Sequence, residues 1–134
     1  MDPSQINWLA VIVAGLSAFL VGGIWYSPAL FAKAWMADNK LNADELKASS
    51  KARTFGFSFI FSVIMAINLG FFLADSKTDI TWGAMAGFLA GIWTFGAIAI
   101  QGLFEIKSWR LIFINGGYSL VSLTLMGTII GAWR

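Results

Sequence analysis

The 134-residue sequence contains no cysteine and no histidine. Disulfide bonds, thiolate chemistry, imidazole ligands for metals or haem and histidine-based proton transfer are therefore excluded. The remaining polar residues show no nucleophile and base at a suitable spacing. We therefore predict that the protein is not an enzyme and has no catalytic residue, metal site or cofactor.

Charged residues are also scarce, at 12% of the sequence against 58% apolar residues, and the mean hydropathy is +0.75. This composition does not suit a soluble domain of this size and indicates an integral membrane protein. The net charge is only +2, and the basic residues are scattered between apolar runs. We therefore expect the lipid bilayer as a partner and no nucleic acid.

Four apolar runs are long enough to cross the hydrocarbon core of a bilayer, which is about 30 Å thick. They cover residues 6–26, 54–74, 81–104 and 111–133. The third run has no charged residue and, at about 1.5 Å per helical residue, reaches roughly 36 Å. The sequence thus predicts an all-α fold, an integral membrane four-helix bundle that forms a single transmembrane domain over 1–134. A cleaved signal peptide is the alternative for the first run, but no basic residue precedes that run.

The only substantial polar segment, 28–53, joins the first two spans. Its beginning places Leu30, Phe31 and Trp35 near one side of a helix, which is typical of an amphipathic helix at the membrane surface. This segment and the turn between the third and fourth spans hold seven Lys and Arg residues, against two elsewhere. Because cytoplasmic loops carry the excess of basic residues, we predict that this amphipathic connection is cytoplasmic and that both termini are outside.

The first span ends at Trp25-Tyr26-Ser27-Pro28. Trp and Tyr prefer the membrane interface, and the residue before a proline disfavours the helical conformation. Four residues are therefore predicted to be interfacial: Trp25, Pro28, Trp35 and Trp109. Two interpretations remain for Tyr26, an interfacial anchor or a side chain that faces a ligand.

Glycines recur every fourth position on one face of the third span and of the fourth span. They are Gly83, Gly87, Gly91, Gly127 and Gly131. Such faces allow two helices to approach closely, as in a glycine zipper. We predict that these glycines are helix-packing residues, either between copies of the chain or between helices of one chain.

A few polar side chains lie inside or at the ends of the spans, where each needs a protein partner or water. They are Tyr26, Asn68, Gln101, Glu105, Asn115 and Tyr118. Glu105 lies on the same helix face as Gln101 and is expected to pair with a cation such as Lys107 or Arg110. For Asn68 the structural interpretation is a hydrogen bond between helices. Alternatively, the six residues line a small polar cavity that binds or transports a solute or an ion.

Two offsets suggest a duplication of a two-helix unit. An offset of 74 aligns Trp8 with Trp82 and Trp35 with Trp109, and an offset of 57 aligns the second span with the fourth. The halves would then be parallel repeats related by an axis along the membrane normal. Chance matches between apolar segments are the alternative interpretation.

Several motifs resemble those of a known group of membrane proteins. They are Trp25-Tyr26-Ser27-Pro28 with Leu30-Phe31 and Trp35, Leu103-Phe104-Glu105, Ile114-Asn115-Gly116-Gly117-Tyr118, and Met126-Gly127 with Gly131-Ala132-Trp133. Over nearly the whole chain, these motifs resemble the domain of unknown function 1761 family. The resemblance implies a four-span protein of bacterial type, and hence the inner (cytoplasmic) membrane, but no established activity, substrate or cofactor. It points to the positions of Tyr26, Pro28, Trp35, Glu105, Asn115 and Tyr118.

Functions of different classes are compatible with these features. The first is a structural or interaction protein that forms a homo-oligomer or serves as a small subunit of a membrane assembly. The second is a binding or transport module for a small solute or ion, with its polar cavity around Glu105. Since the chain has seven Trp and twelve Phe, binding of a lipid or another apolar ligand between the helices is a third interpretation.

Overall fold

A computed structural model describes residues 1–134. The chain contains six α-helices and no strand: α1 (Trp8–Trp25), α2 (Ala32–Asp38), α3 (Ala43–Ala48), α4 (Lys51–Phe72), α5 (Ile80–Phe104) and α6 (Trp109–Ala132). A short 3-10 turn over Pro3–Gln5 precedes α1. Four helices, α1, α4, α5 and α6, are long and apolar enough to cross a membrane. The predicted all-α, four-helix membrane fold is confirmed, and the protein is a multi-pass membrane protein.

Each of the four long helices begins after a side chain that caps its first turn. The capping residues are Asn7, Ser50, Asp79 and Ser108. Each side-chain oxygen accepts a hydrogen bond from a backbone N–H that has no partner within the helix. The caps explain where the helices begin relative to the predicted spans. Because Ser50 is the cap of α4, this helix includes Lys51 and Arg53, which precede the predicted span 54–74.

The helix α6 lies at the centre of the arrangement. It packs extensively against α5 and α1 and also contacts α2 and α4, whereas α4 packs mainly against α1. The core contains Val11 of α1, Leu69 of α4, Ala86 of α5 and Met126 of α6. Although α4 and α5 follow each other in sequence, they have no extensive interface. They therefore occupy the two edges of the array, on either side of α1 and α6.

Both chain ends lie beside the connection between α4 and α5. The backbone N–H of Asp2 donates to the carbonyl of Ala74 at 3.0 Å. The guanidinium of Arg134 donates to the carbonyl of Leu73 at 2.7 Å. The two termini are therefore on the same side of the protein, and α2, α3 and the α5–α6 turn are at the opposite end.

The predicted helix-packing glycines bring α5 and α6 into backbone contact within one chain. They are Gly83, Gly87 and Gly91 on α5 and Gly127 and Gly131 on α6. A Cβ at Gly83 would lie 2.2 Å from the carbonyl oxygen of Gly127, and a Cβ at Gly87 would lie 2.1 Å from that of Leu123. Since the α5–α6 contact covers these faces, they are not available for self-association of the chain.

The helix contacts lack the symmetry that a duplication predicts. A two-fold axis between the halves would superpose α1 on α5 and α4 on α6. The contact between α1 and α6 would then have an equivalent contact between α5 and α4. The first contact is extensive and the second is not. The two halves also differ in their internal contact, because Gly83 and Gly87 of α5 correspond, at the offset of 74, to Leu9 and Val13 of α1.

Candidate functional site

The end of α1 is attached to α6 by hydrogen bonds from two aromatic residues. The indole Nε1 of Trp25 donates to the carbonyl of Ile114 at 2.8 Å, and the hydroxyl of Tyr26 donates to Oδ1 of Asn115 at 2.9 Å. Gly117 leaves room for the indole, because a Cβ there would lie 3.0 Å from Cζ2 of Trp25. The two motifs, 89 residues apart in sequence, thus form one joint between α1 and α6, which we call the aromatic joint.

Tyr118 completes the aromatic joint from the side of α6. Its hydroxyl donates to the carbonyl of Ala18 at 2.9 Å. Its ring meets the ring of Tyr26 edge to face, with 5.5 Å between the centroids. Both phenolic hydroxyls therefore have protein partners, as polar groups shielded from water require.

The interfacial residues predicted from the sequence fall into two groups. Pro28 and Trp109 are exposed. In contrast, Trp25 is half-buried and belongs to the aromatic joint, and its position at the membrane interface stays a prediction. Trp35 is also half-buried, with its ring 6.0 Å from that of Tyr26. The reason is that α2 folds back over the end of α1.

An ion pair attaches α2 to the beginning of α6. The guanidinium of Arg110 donates to both carboxylate oxygens of Asp38, at 2.6 and 2.8 Å. The hydroxyl of Ser108 donates to the same carboxylate at 3.0 Å. These donors, the Arg110 guanidinium first, lower the pKa of Asp38 below its ordinary value of 3.8. Asp38 thus remains charged over the physiological pH range.

This ion pair predicts a pH dependence for the docking of α2. Because the pKa of Asp38 is lower in the folded chain than in the unfolded one, the stabilisation is complete above about pH 5 and is lost as the pH falls through the lowered pKa. We expect amide hydrogen exchange in α2, corrected for its intrinsic pH dependence, to be constant from pH 5 to 8 and to rise below about pH 4. At pH 6, Asp38→Asn should accelerate this exchange about twofold to fivefold, because the Arg110 side of the pair is exposed to solvent.

The matched control is Asp44→Asn on α3, since Asp44 is exposed and has no ion pair. It should leave exchange in α2 unchanged. Equal exchange in α2 for both variants would show that the Asp38–Arg110 pair does not hold the helix.

A cleft of about 350 Å³ opens at the same end of the protein. Its polar lining comes from the end of α2, from α5 and α6 and from the turn between them: Asn39, Gln101, Glu105, Lys107 and Asn115. Apolar side chains, among them Ile112 of α6, complete the lining. Within the cleft, Nε2 of Gln101 donates to Oε1 of Glu105 at 3.2 Å. The cleft therefore combines one carboxylate, one ammonium group and three amides.

The expected ion pair of Glu105 is not formed. Arg110 is engaged by Asp38, and Lys107 lines the cleft without a carboxylate within 4.0 Å. Glu105 instead keeps the hydrogen bond from Gln101 and is exposed. The prediction that Glu105 pairs with a cation was wrong. The connection between α1 and α4 brings Asp38 to Arg110, and Asp38 takes the place of Glu105 as the partner of that guanidinium.

The structure brings together most of the predicted polar residues. Gln101, Glu105 and Asn115 line the cleft, Tyr26 reaches it through its bond to Asn115, and Tyr118 packs against Tyr26.

Asn68 is the exception among the predicted cavity residues. It is exposed on α4, where Nδ2 donates to the carbonyl of Ile64 within the same helix at 2.8 Å. Helical geometry explains this position, because α4 buries Ala66, Leu69 and Gly70 on the face opposite Asn68. Asn68 therefore belongs neither to the cleft nor to a contact between helices of one chain.

Asn39 is a residue of the cleft that the sequence did not predict. This residue follows α2, and its amide donates to the carbonyl of Trp35 at 2.9 Å. The contact between α2 and α6 places it in the cleft. No local pattern could have indicated this, since the position depends on how the long connection folds back.

The fold and the site together define a multi-pass α-helical membrane protein with a polar cleft at one end. A family profile, described as "Protein of unknown function (DUF1761)", matches residues 9–131. The chain therefore belongs to this family, and the resemblance of its motifs is confirmed. No curated protein and no solved structure is significantly similar to the chain.

Proposed function

We propose that the protein is a non-enzymatic binding module of the bacterial inner membrane, which holds a small cationic or zwitterionic solute in the cleft around Glu105. The observation that carries the proposal is the convergence of Gln101, Glu105 and Asn115, from two helices, on one cavity. A carboxylate with no ion pair at the end of a membrane span attracts a cation. The lining sets these polar groups beside three apolar residues, Ile98, Leu111 and Ile112, so polar contacts can orient a small molecule against an apolar surface.

The hydrogen bonds around the cleft favour a particular orientation of its polar groups. Tyr26 donates to Oδ1 of Asn115, which leaves the amide hydrogens of Asn115 free to donate to a ligand. Gln101 orients one oxygen of Glu105, and the second oxygen is free to accept a hydrogen bond from an ammonium group. Lys107 adds a positive charge that suits a carboxylate or phosphate group of the same ligand.

Binding is better supported than transport through a single chain. Beyond the cleft, the backbones of α5 and α6 meet at Gly91, Gly87 and Gly83, so this interface offers no continuous polar path. An enzymatic role has no support from the tyrosines, because the hydroxyl of Tyr26 is bound to Asn115 and that of Tyr118 to Ala18.

The distribution of charge supports an orientation for the module. The end with the cleft carries the α1–α4 connection, the α5–α6 turn and the first turns of α4 and α6, which together hold seven of the nine Lys and Arg residues. By the positive-inside rule this end faces the cytoplasm and both termini are outside. The ligand would thus enter from the cytoplasm or from the inner leaflet.

Glu105→Gln tests the proposed site, because it removes the charge and keeps the shape of the side chain. We expect titration calorimetry of the protein in lipid nanodiscs to detect binding of at least one of three probes, ethanolamine, putrescine and phosphoethanolamine. The variant should bind that probe about 10- to 100-fold more weakly, since a hydrogen bond to a charged group contributes about 1.5–3 kcal/mol.

The matched control is Glu45→Gln on α3, which removes an exposed carboxylate outside the cleft and should leave the affinity unchanged. Equal affinity of the wild type and Glu105→Gln, or no binding of any probe, would contradict the proposal. Flux of these probes into vesicles that contain the protein should equal that into empty vesicles. Faster flux that is lost in Glu105→Gln would instead indicate transport.

A role as a self-associating or accessory membrane subunit is the second candidate. The observation that favours it is the exposed outer face of α4, which carries Asn68.

A further inference from the structure

Asn68 presents an amide on the lipid-facing side of a membrane-spanning helix. Its Nδ2 donates to the carbonyl of Ile64, but its Oδ1 and second amide hydrogen have no partner in the chain. The hydroxyls of Ser58 and Thr94, also on the long helices, donate their single hydrogen to the carbonyl four residues earlier. A hydroxyl is thereby satisfied as a donor, whereas an amide retains both a donor and an acceptor. Asn68 therefore needs a partner outside its own helix.

Asn68 lies well inside the apolar part of α4, where an amide group without a hydrogen-bond partner is unfavourable. Asp75, the first charged residue after it, lies seven positions later, which corresponds to about 10 Å along a helix. The rings of Phe72 and Trp82, 6.1 Å apart, lie about one turn closer to the connection between α4 and α5. An amide group left without a hydrogen-bond partner in hydrocarbon is strongly unfavourable.

Asn68 also continues a row of exposed apolar residues. Phe57, Phe61 and Ile64 are 58%, 61% and 45% exposed, and together with Asn68 they are spaced by four, three and four residues. This alternation corresponds to a period of about 3.5 residues. The same period places residues along the contact, or seam, between two helices of a left-handed coiled coil. An asparagine in such a seam sets the register of the two helices.

We propose that this face of α4 is the interface of a homodimer in which Asn68 meets Asn68 of the partner subunit. Copies of a membrane protein have the same orientation in the bilayer, so their two-fold axis lies along the membrane normal and α4 packs parallel to α4. Each residue near the axis then meets its own counterpart. Two asparagine amides suit this arrangement, because each Oδ1 accepts a hydrogen bond from the other amide.

The rest of the chain is consistent with α4 as the interface. The glycine faces of α5 and α6 already pack against each other, while α4 lies at the edge of the array and contacts mainly α1. The cleft is built by α5, α6 and the end of α2. The dimer therefore leaves the cleft open and does not depend on the function proposed for it.

Disulfide cross-linking tests the seam, since the native chain contains no cysteine. Phe61→Cys and Ile64→Cys in the full-length protein, reconstituted in lipid vesicles and oxidised with copper phenanthroline, should form covalent dimers. The control Trp93→Cys lies on α5 at a residue that is 84% exposed, and it should cross-link only by chance collision. Equal yields at positions 64 and 93, or a product that contains a different protein in native membranes, would overturn the proposal.

Asn68→Leu tests the amide itself. Energy transfer between labelled copies, measured over a series of lipid dilutions, should show a dimer dissociation constant about 3- to 30-fold higher than that of the wild type. Asn68→Gln, which keeps an amide, should recover part of this affinity. Helix content and tryptophan emission should not change, because the side chain faces outward. A monomeric wild type, or a dimer unaffected by Asn68→Leu, would show that α4 does not pair through this residue.

Discussion

Gly87→Ala is expected to lower the free energy of unfolding by about 3 kcal/mol, at the upper end of the usual cost of overpacking. The added methyl group would lie 2.1 Å from the carbonyl oxygen of Leu123 and 3.0 Å from Cα of Thr124. These are backbone atoms, so no side-chain rotation can relieve the clash, and α5 must move away from α6. Denaturation by sodium dodecyl sulfate in mixed micelles, followed by helix content and tryptophan emission, measures the change.

Gly96→Ala is the matched control because it adds the same methyl group to the same helix. No atom lies within 4 Å of a Cβ at Gly96. This variant should be neutral or more stable by up to about 1 kcal/mol, since alanine favours a helix more than glycine does. If both variants had the same stability, the close contact between α5 and α6 would be contradicted.

Trp25→Ala should destabilise the protein by about 3 kcal/mol, the low end of the cost of truncating a packed tryptophan, because the side chain is half-buried. The change removes the hydrogen bond to Ile114 and the contacts of the indole with Phe31 and Gly117. Trp25→Phe keeps most of the ring contacts and should lose only the hydrogen bond, about 1 kcal/mol. The same denaturation experiment applies.

Trp93→Ala is the control, because this tryptophan is 84% exposed and its loss should change stability by less than about 0.5 kcal/mol. A double-mutant cycle makes the test specific to the aromatic joint. Gly117→Ala brings a Cβ to 3.0 Å from Cζ2 of Trp25, so its cost should disappear in the Trp25→Ala background. A coupling energy below about 0.5 kcal/mol would place the ring of Trp25 elsewhere.

The four membrane-spanning helices were predictable because their signal is local. Each long apolar run is a property of consecutive residues, and a backbone in hydrocarbon must satisfy its hydrogen bonds within the helix. The structure moved only the boundaries, as at α4, which follows its cap Ser50 and begins at Lys51, three residues before the predicted span 54–74.

The candidate site was predictable in part. The polar residues of the spans were identified because a polar group in an apolar run is conspicuous, and Gln101 and Glu105 share a face at a spacing of four. Their contacts were not predictable. Arg110 pairs with Asp38 across 72 positions of sequence, and this choice depends on the path of α2 over the end of α1.

The sequence by itself determined the environment of the protein, the number of its membrane-spanning helices and the helix faces that permit close approach, because hydropathy and helical periodicity are read from neighbouring residues. Only the tertiary structure decided what covers each face. The glycines of α5 meet α6, the aromatic end of α1 meets α6, and Asn68 faces outward from α4. In lipid, an apolar face gains little more from another helix than from acyl chains. Steric fit and a few hydrogen bonds between residues that are distant in sequence therefore determine which helices pack against each other.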